Sequence, residues 1–353
     1  MKVLYLTPWY PSERDAMAGL FVQKHADAVR AQGVDVQVIH SQGWLDTIKR
    51  WHRLKKTWGL PDVVQLNVVQ KQGLLALWLK RRYNIPYIIV EHWSGYLPEN
   101  GQFMRMPAFK RRLYASIVRQ ASVLLCVSNR LASAMQSCGL KHPDCRKINN
   151  VVDDFFYSEP QNLEVTKSRD IDISKTLLHV SCFDERAKNV KGLLRAAQLL
   201  SRKRRDWRLV LVGTGIDYPE VRAYADTLDF PEGMLIWTGE LTPQQVSDEF
   251  DKADVFILPS NYENAPVVLS ESLAKGVPVI STLAGGIPEM INDSCGILVP
   301  PRDDNALMLA MDRMLDHCQD YERSTIRQAG LQYTYASVGK RLLHIYEQCT
   351  THS

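Results

Sequence analysis

The sequence predicts an α/β protein made of two doubly wound domains that follow each other along the chain. Its 353 residues are enough for two domains of ordinary size, each with a core of its own. Short apolar segments alternate with helical periods, which is typical of strand–helix–strand units and of a parallel sheet. Because this alternation starts twice, we predict a first domain over residues 1–160 and a second over residues 174–335.

The first domain opens with the apolar strand Val3 to Leu6, in an N-terminal segment too short for a signal peptide. A helix is predicted from Gly19 to Ala31, with Gly33 ending it. The same alternation continues to the end of the domain. The further strands are predicted at 34–39, 62–68, 86–90, 122–127 and 147–152, with a helix near 74–79.

The stretch from about Asp154 to Ser174 is polar, contains Pro160 and lacks periodicity, so we predict a linker there. The alternation then resumes with helices between the strands and two more helices at 305–317 and 321–333. A last helical pattern runs from Ser337 to about Cys349. The strands of this half are predicted at 176–181, 208–212, 234–237, 253–259, 277–281 and 296–299.

The composition is that of a globular protein, with 45% hydrophobic and 23% charged residues. No apolar run approaches the roughly 20 residues of a membrane span. The seven cysteines are scattered, odd in number and without a Cys-x-x-Cys pair. This pattern favours reduced thiols in a cytoplasmic protein and argues against a zinc site.

The net charge of +4 conceals a difference between the two halves. Residues 1–160 hold 22 Lys and Arg against 12 Asp and Glu, whereas residues 161–353 hold 21 against 27. A basic first half favours phosphates, either of a lipid-linked substrate or of an anionic membrane on whose inner face the protein would lie. In the segment 49–58, cations alternate with Trp51, Leu54 and Trp58, which predicts either an interfacial helix on lipid or a solvated surface helix.

The segment from Ser260 to Ile280 carries the chemistry around which the second half is organised. A short helix follows a buried strand and ends at Gly276. Glu263 lies in the loop between them and Glu271 lies in the helix, so the two carboxylates either face different parts of one ligand at the sheet edge or are solvated side chains of an ordinary strand–loop–helix unit. The helix start in Asn264-Ala265-Pro266-Val267 offers backbone N–H groups to an anion.

Two loops of the first domain also follow strands and so face the same kind of edge. Gly19 stands at a helix start, where a glycine lets backbone N–H groups approach a phosphate, although a plain helix cap needs the same residue. His92 follows the strand ending at Val90, at the carboxyl edge of the sheet, so it is either a structural histidine or a polar contact, not a nucleophile, of a site at that edge.

In the second domain, Lys188 follows the first strand and either neutralises a departing diphosphate as a point charge or belongs to a solvated basic turn. Gly213-Thr214-Gly215 follows the next strand and suits a tight turn beside a nucleotide. The third glycine of a dinucleotide fingerprint is replaced by Tyr218, which disfavours a nicotinamide-dependent oxidoreductase. The pair Gly285-Gly286 offers either a nest of N–H donors or a plain loop.

The chain resembles the retaining glycosyltransferases of family 4, the group 1 transferases, through the Glu-x7-Glu spacing of Glu263 and Glu271. The resemblance implies the GT-B fold, in which two Rossmann-like domains face each other across a deep cleft. It also implies that the C-terminal helix, about 336–353, packs back onto the first domain. The implied reaction transfers a sugar from a UDP- or GDP-sugar to a glycan or lipid-linked acceptor with retention, as in cell-surface polysaccharide or glycolipid biosynthesis.

The same resemblance implies roles for single residues. Glu263 would lie beside the donor sugar, and Glu271 would bind the ribose hydroxyls of the nucleotide. Leu241 would contact the base through its backbone. The family has an Arg near the position of Cys182, so Arg186 is the candidate for a second cation beside Lys188. Further matches implied by the family are Gly19 at the donor diphosphate and His92 at the sugar or acceptor.

No metal is expected to be required. Asp170-Ile171-Asp172 is a literal Asp-x-Asp, but it falls in the predicted linker and is interpreted as solvated. No other His, Asp or Glu cluster has the spacing of metal ligands. The diphosphate would then be stabilised by Lys188 and helix N-termini. We expect no other cofactor and no nucleic-acid partner.

Two other functions remain compatible with the sequence. A nucleotide-sugar epimerase of the same fold would need more acid/base candidates at the first-domain strand ends than Glu91 and His92. A non-catalytic module that binds sugar nucleotides is favoured by Cys182 at the expected Arg position. The sequence does not distinguish among donor bases, sugars and acceptors.

Overall fold

The computed structural model describes residues 1–13, 15, 17–159 and 175–351, which form two compact units. The first unit combines Met1–Val151 with Gln332–Ser353, and the second is Val152–Leu331. The first unit therefore ends earlier than the predicted residue 160. The Asp170-Ile171-Asp172 motif lies outside the described residues.

The first unit contains one six-stranded sheet. Its strands are β1 (Lys2–Thr7), β2 (Asp35–His40), β3 (Val63–Asn67), β4 (Tyr87–Glu91), β5 (Val123–Cys126) and β6 (Cys145–Lys147). All neighbouring strands are parallel, in the order β2-β1-β3-β4-β5-β6. Strands β3, β4 and β5 are buried along their whole length, as apolar strands covered on both faces should be.

In the described part of the chain, six helices cover this sheet: α1 (Leu20–Arg30), α2 (Trp44–Trp58), α3 (Gly73–Tyr83), α4 (Ala108–Gln120), α5 (Asn129–Ser137) and α13 (Tyr335–Thr351). The sequence patterns leave α4 and α5 unassigned. Helix α4 carries four cations and buries only Tyr114, Ile117 and Val118, so its apolar period is weak. Helix α5 is short and begins at Ser128, whose side chain accepts a hydrogen bond from the Leu131 N–H.

The direction of the connections separates these helices into two layers. The connection through α1 leads from β1 to β2, whereas α2, α3, α4 and α5 all belong to connections that run toward β6. With right-handed crossovers, the two directions place their helices on opposite faces of the sheet. Helix α13 packs on α1, and α3 packs on α4.

The apolar side chains of the 49–58 segment face the protein. Trp51 is only 1% exposed, and the Trp58 Nε1–H donates to Asp35 Oδ2 at 2.6 Å. Leu54 is half-buried. Of the two alternatives for this segment, the structure argues against insertion of these three side chains into lipid, because they form the inward stripe of helix α2.

The C-terminal helix belongs to the first unit, where a buried hydrogen-bond chain holds it to the sheet. The Tyr346 hydroxyl donates to Gln65 Oε1 at 2.6 Å, so the 2.9 Å contact with Tyr5 is donated by the Tyr5 hydroxyl. Gln65 in turn donates to Asn67 Oδ1 at 2.8 Å. The chain joins α13, β1 and β3, which are far apart in sequence.

The second unit repeats the architecture with a different strand order. Its strands are β7 (Lys175–Val180), β8 (Trp207–Val212), β9 (Leu235–Gly239), β10 (Val255–Leu258), β11 (Val279–Thr282) and β12 (Gly296–Val299). They are parallel in the order β12-β11-β10-β7-β8-β9. The strand order thus reverses between β7 and β10, as in a dinucleotide-type doubly wound sheet.

The helices of this unit are α6 (Glu185–Lys188), α7 (Val190–Ser201), α8 (Tyr218–Asp226), α9 (Pro243–Lys252), α10 (Val267–Lys275), α11 (Asp304–His317) and α12 (Arg323–Gly330). Part of the predicted linker is folded into the unit. Asp154–Tyr157 forms a 3₁₀ turn in which Phe156 is fully buried and lies against Phe250. Its apolar side chains explain why this part of the segment packs instead of linking.

Among the described residues, none of the helices combines the length and the apolar character that a membrane crossing requires.

Candidate active site

The candidate site lies where β7 and β10 end side by side, at the point where the strand order of the second sheet reverses. Lys188 Nζ and Glu263 Oε1 form an ion pair there, and Ser260 Oγ donates to the same carboxylate oxygen at 3.0 Å. The two charged side chains are only 15% and 12% exposed. Open α/β sheets bind their ligands at such points.

Lys188 is held by the short turn that follows β7. Asp184 caps helix α6 by accepting the Ala187 N–H, and Asn189 ends the turn in a left-handed conformation. Asn261, in the loop after β10, ties the two loops together. Its N–H donates to Ala187 O at 2.7 Å, and its side-chain amide donates to Arg186 O at 3.1 Å.

The Glu263 loop is also fixed from the β11 side. Thr282 Oγ1 donates to Ser260 O, and the Gly286 N–H donates to Glu263 O at 3.1 Å. The sequence left Gly285-Gly286 open between an anion nest and a plain loop. The structure shows that this loop packs on the backbone of Glu263, with Gly285 in a left-handed conformation at φ 57°.

A buried histidine lies beneath the ion pair, and the sequence analysis missed it. His179 Nδ1 donates to Ile257 O at 2.9 Å, which leaves Nε2 to accept the Ser181 hydroxyl at 2.8 Å. Burial, with the nearby charge of Lys188, lowers the pKa of His179 to about 4, so the ring is neutral. The signal available in the sequence was a lone polar residue in the apolar strand Leu177-Leu178-His179-Val180.

The charge state of the pair follows from its surroundings. Burial by itself lowers the pKa of Lys188, but the carboxylate of Glu263, with Cys182 and Asp184 nearby, outweighs it and raises that pKa above its ordinary value. Lys188 therefore carries a positive charge that is mostly shielded from water. Such a charge interacts with an anionic ligand more strongly than an exposed one does.

Helix α10 begins at Val267, directly after this loop, and Pro266 is its N-cap residue. No side chain caps this end. Asn264 and Ala265 precede the helix and do not form its first turn. Glu271 is half-buried and lies one turn further along, on the same face as Val267. The α10 N-terminus thus adds its partial positive charge next to Lys188 and Glu263.

The other predicted donor-site residues lie at the same edge, each soon after the end of a strand. Arg186 is exposed, with its guanidinium 6.0 Å from the centre of the Tyr262 ring. The Gly213 N–H donates to Gly239 O, which gives this glycine a part in holding two loops together. Leu241 follows β9, the strand at the far edge of the sheet, and is half-exposed.

In the first unit, Gly19 and His92 lie on loops that follow β1 and β4. Gly19 precedes α1 at φ 68°, where a Cβ would come 2.3 Å from the backbone of Trp9, so tight packing already requires a glycine. The His92 ring lies 4.2 Å from the Phe21 ring and 5.5 Å from the His25 ring, centre to centre. Burial, together with His25, holds the pKa of His92 well below its usual range, so the ring is neutral.

Glu91 is the last residue of β4 and is fully buried. Its carboxylate accepts the N–H groups of Val69, His92 and Trp93 at 2.9–3.0 Å and the Tyr96 hydroxyl at 3.3 Å. Burial raises its pKa to about 7 against these hydrogen bonds. Glu91 therefore shapes the loops after β3 and β4, and does not face a substrate as an acid or base.

Within the described part of the chain, no three His, Cys, Asp or Glu side chains are grouped so that they could hold a metal ion.

Comparison with known families assigns both halves of the chain. The model described as "Glycosyltransferase Family 4" matches residues 3–154, and the model described as "Glycosyl transferases group 1" matches residues 174–317. Between them they match most of the sequence. The chain belongs to the group 1, family 4 glycosyltransferases. It is therefore a glycosyltransferase enzyme.

Several curated relatives of this glycosyltransferase are distant in sequence. TuaC of Bacillus subtilis (strain 168), named for teichuronic acid biosynthesis, is 24% identical, with 89% of each chain covered. The alpha-D-kanosaminyltransferase of Streptomyces kanamyceticus is 24% identical over 76% of this chain and 72% of its own. The alpha-monoglucosyldiacylglycerol synthase of Streptococcus pneumoniae is 25% identical over 81% of this chain and 66% of its own.

Solved structures show the same fold. Sucrose-phosphate synthase of Thermosynechococcus elongatus superimposes with a TM-score of 0.79 at 17% identity over the whole of both chains. Anabaena HepE in complex with UDP gives a TM-score of 0.79 at 16% identity, covering 99% of this chain and 100% of its own. This glycosyltransferase thus has the GT-B fold, with two doubly wound domains. The family assignment also favours sugar transfer over the epimerase and the non-catalytic module.

Proposed function

We propose that this glycosyltransferase transfers a sugar from a UDP- or GDP-sugar to a glycan or lipid-linked acceptor, with retention of anomeric configuration. The observation that carries the proposal is the shielded Lys188–Glu263 pair beside the N-terminus of α10, at the reversal point of the second sheet. The pair sets a cation for the diphosphate next to a carboxylate for the sugar. Solved HepE structures with UDP, with UDP and glucose, and with UDP-glucose support a nucleotide-sugar donor.

In this proposal the chemistry is electrostatic. Bond cleavage leaves negative charge on the diphosphate and positive charge on the sugar ring. Lys188 and the N-terminal dipole of α10 stabilise the first charge, and Arg186 supplies further positive charge at the rim. Glu263 lies beside the ring, and Glu271 binds the ribose hydroxyls. No metal is required, because the cationic groups of the chain take its place. His92 and the loop at Gly19 complete the sugar and diphosphate contacts.

The proposed pathway is supported by the names of two curated relatives, TuaC and the alpha-monoglucosyldiacylglycerol synthase. Names that refer to teichuronic acid and to a glucosyl diacylglycerol support a role in cell-surface polysaccharide or glycolipid biosynthesis. A protein of this kind would work in the cytoplasm, at the inner face of the membrane that holds a lipid-linked acceptor. The basic first domain supports this placement through its excess of Lys and Arg.

The first experiment offers UDP- and GDP-sugars to the protein, with and without a chelator, and measures release of UDP or GDP. We expect slow hydrolysis of one donor class that persists in the chelator. A sugar nucleotide that is isomerised without release would contradict transfer, and activity restored only by added Mg²⁺ would contradict the absence of a metal requirement. Once an acceptor is identified, proton NMR of the anomeric position in the product distinguishes retention from inversion.

The second experiment separates the two glutamates by calorimetric titration with UDP and GDP. Glu271→Ala should weaken nucleotide binding roughly 10- to 100-fold, because it removes hydrogen bonds to a charged acceptor. Glu263→Ala should not weaken nucleotide binding, because it removes the carboxylate that competes with the diphosphate for Lys188, but it should lower turnover at least about 100-fold. The exposed Glu232→Ala serves as the control and should change neither. Equal losses of affinity in the Glu271 and Glu263 variants would overturn the assigned roles.

A further inference from the structure

The excess positive charge of the first domain is concentrated on one layer of helices. Helices α2, α3 and α4 carry five, three and four Lys and Arg, twelve in all, against the single acidic residue Asp46. Helices α1 and α13, on the opposite side of the sheet, carry four Lys and Arg against Asp27 and Glu347. We call the surface formed by α2, α3 and α4, with Met104 just before α4, the basic face.

The basic face is continuous, because side chains join its helices. Lys55 Nζ on α2 donates to the Tyr83 hydroxyl on α3 at 2.7 Å. Lys80 and Arg81 on α3 donate to Gln120 on α4 at 2.6 Å and 3.1 Å. Nine of the twelve cations are exposed: Lys49, Arg50, Arg53, Lys56, Arg81, Arg82, Lys110, Arg112 and Arg119. The salt bridge from Arg50 to Asp46 is the one ion pair within the three helices that the structure shows for these nine.

Large apolar side chains stand among these cations without being covered. Leu45 is 74% exposed at the start of α2, Trp78 is 43% exposed on α3, and Phe109 is 68% exposed at the start of α4. Met104 is 55% exposed and contacts Arg111 through its sulfur at 3.8 Å. A water-exposed Leu or Phe gains nothing from its position unless another apolar phase covers it.

We propose that the basic face docks on the surface of an anionic lipid bilayer. The cations fit the phosphates of the headgroups, and Leu45, Met104 and Phe109 fit the boundary between headgroups and acyl chains. A nucleic acid or an acidic glycan matches the cations but leaves these three side chains without an apolar partner. The surface includes the exposed cations of the 49–58 segment but not its tryptophans, because Trp51 and Trp58 face inward.

Docking is separable from sugar transfer, since none of these residues belongs to the candidate active site. The measurement is co-sedimentation of the full chain with vesicles of phosphatidylcholine alone or with about 30% phosphatidylglycerol. Wild-type protein should bind the anionic vesicles at low salt, release them at high salt, and ignore the neutral ones. Failure to bind anionic vesicles at low salt would overturn the proposal, whatever the donor assay shows.

A matched pair of charge reversals locates the surface. Lys110→Glu with Arg112→Glu alters the basic face, and Lys340→Glu with Arg341→Glu makes the same change in net charge on α13. All four side chains are exposed. The first variant should lose vesicle affinity by roughly 25-fold or more, since each cation near the surface contributes about fivefold. The second should retain most of it. Equal losses would show a general charge effect and would contradict a specific face.

A further variant tests the lipid itself against other polyanions. Phe109→Ser removes an exposed ring without changing the charge, so folding should be unaffected. It should weaken binding to anionic vesicles by roughly tenfold or more and leave retention on heparin unchanged. Tight heparin binding with no binding to vesicles, or unchanged vesicle binding of this variant, would overturn the proposal. UDP or GDP release by all variants, assayed without vesicles, should equal that of the wild type.

Discussion

Lys188 and Glu263 lie 75 residues apart in the chain, and each shields the charge of the other in a nearly buried place. An incoming diphosphate would compete with Glu263 for the ammonium group, which would free the carboxylate for the sugar. In the proposed function, this exchange would let the two opposite charges stay paired at low exposure and still take part in the reaction.

For this pair we predict that a second substitution restores the stability of the protein but not its activity. Lys188→Met leaves the Glu263 carboxylate without its cation and should lower the free energy of unfolding by about 3 kcal/mol. Adding Glu263→Gln removes the uncompensated charge and should restore most of that loss, while turnover stays abolished. Denaturant unfolding and donor turnover of the three proteins provide the measurement. A double variant no more stable than Lys188→Met would contradict the account.

Glu91 provides a pH prediction at the same scale. Its pKa is raised from 4.5 to about 7, so between these values the folded protein binds a proton that the unfolded chain has lost. Its contribution to stability is complete below pH 4.5 and falls as the pH rises through about 7, by roughly 3 kcal/mol. His25 and His179, whose pKa values are about 4, titrate with the opposite sign.

The difference between wild type and Glu91→Gln isolates this group, because the histidines are common to both proteins. The unfolding free energy of wild type minus that of Glu91→Gln should therefore fall as the pH rises from 4.5 to about 7, and it should stay constant above that pH. Parallel curves would mean that Glu91 is not titrating in this range.

At the scale of elements, the position of Glu263 depends on the loop after β11. A Cβ at Gly285 would lie 1.7 Å from Glu263 O, and the residue also has φ 57°. Gly285→Ala should therefore cost roughly 2–4 kcal/mol of unfolding free energy and displace Glu263, with a large drop in turnover. Gly233→Ala is the matched control. It has φ 76° with nothing within 4 Å, so it should lose only about 1 kcal/mol and keep full turnover.

Thermal or denaturant unfolding and donor turnover distinguish the two glycine variants. If Gly285→Ala lost stability but kept wild-type turnover, the position of the Glu263 loop would not matter for the reaction.

The elements also show where sequence patterns succeed and where they do not. The strand–helix–strand segment from β10 to β11 is predicted closely, because a buried strand, Gly276 and Pro278 mark its limits locally. Helix α4 has no comparable local signal, because it buries only three side chains and its apolar period is therefore weak. The direction in which Trp51 points cannot be predicted from the sequence either, because a basic amphipathic helix has the same sequence pattern whether its apolar stripe packs on a sheet or on lipid.

At the scale of the molecule, the C-terminal helix completes the core of the first unit. Tyr346 is fully buried between Tyr5 and Gln65. Tyr346→Phe removes the donor to the Gln65 oxygen and the acceptor of the Tyr5 hydroxyl, and should cost about 1–3 kcal/mol. Tyr5→Phe removes only the donor at the end of the chain and should cost less, about 1 kcal/mol. Chemical denaturation of both variants tests the order, and a costlier Tyr5→Phe would contradict this hydrogen-bond direction.

The sequence by itself determined the two doubly wound halves and the Glu263–Glu271 spacing. Apolar periods, helix stops and strand lengths act over a few residues, so they can be read locally. The tertiary structure decided the pairing of Lys188 with Glu263, the neutral His179 beneath them, the inward direction of Trp51 and the layer that collects the cations. Each of these depends on which strands become neighbours and which face a helix presents, and long-range packing alone sets both.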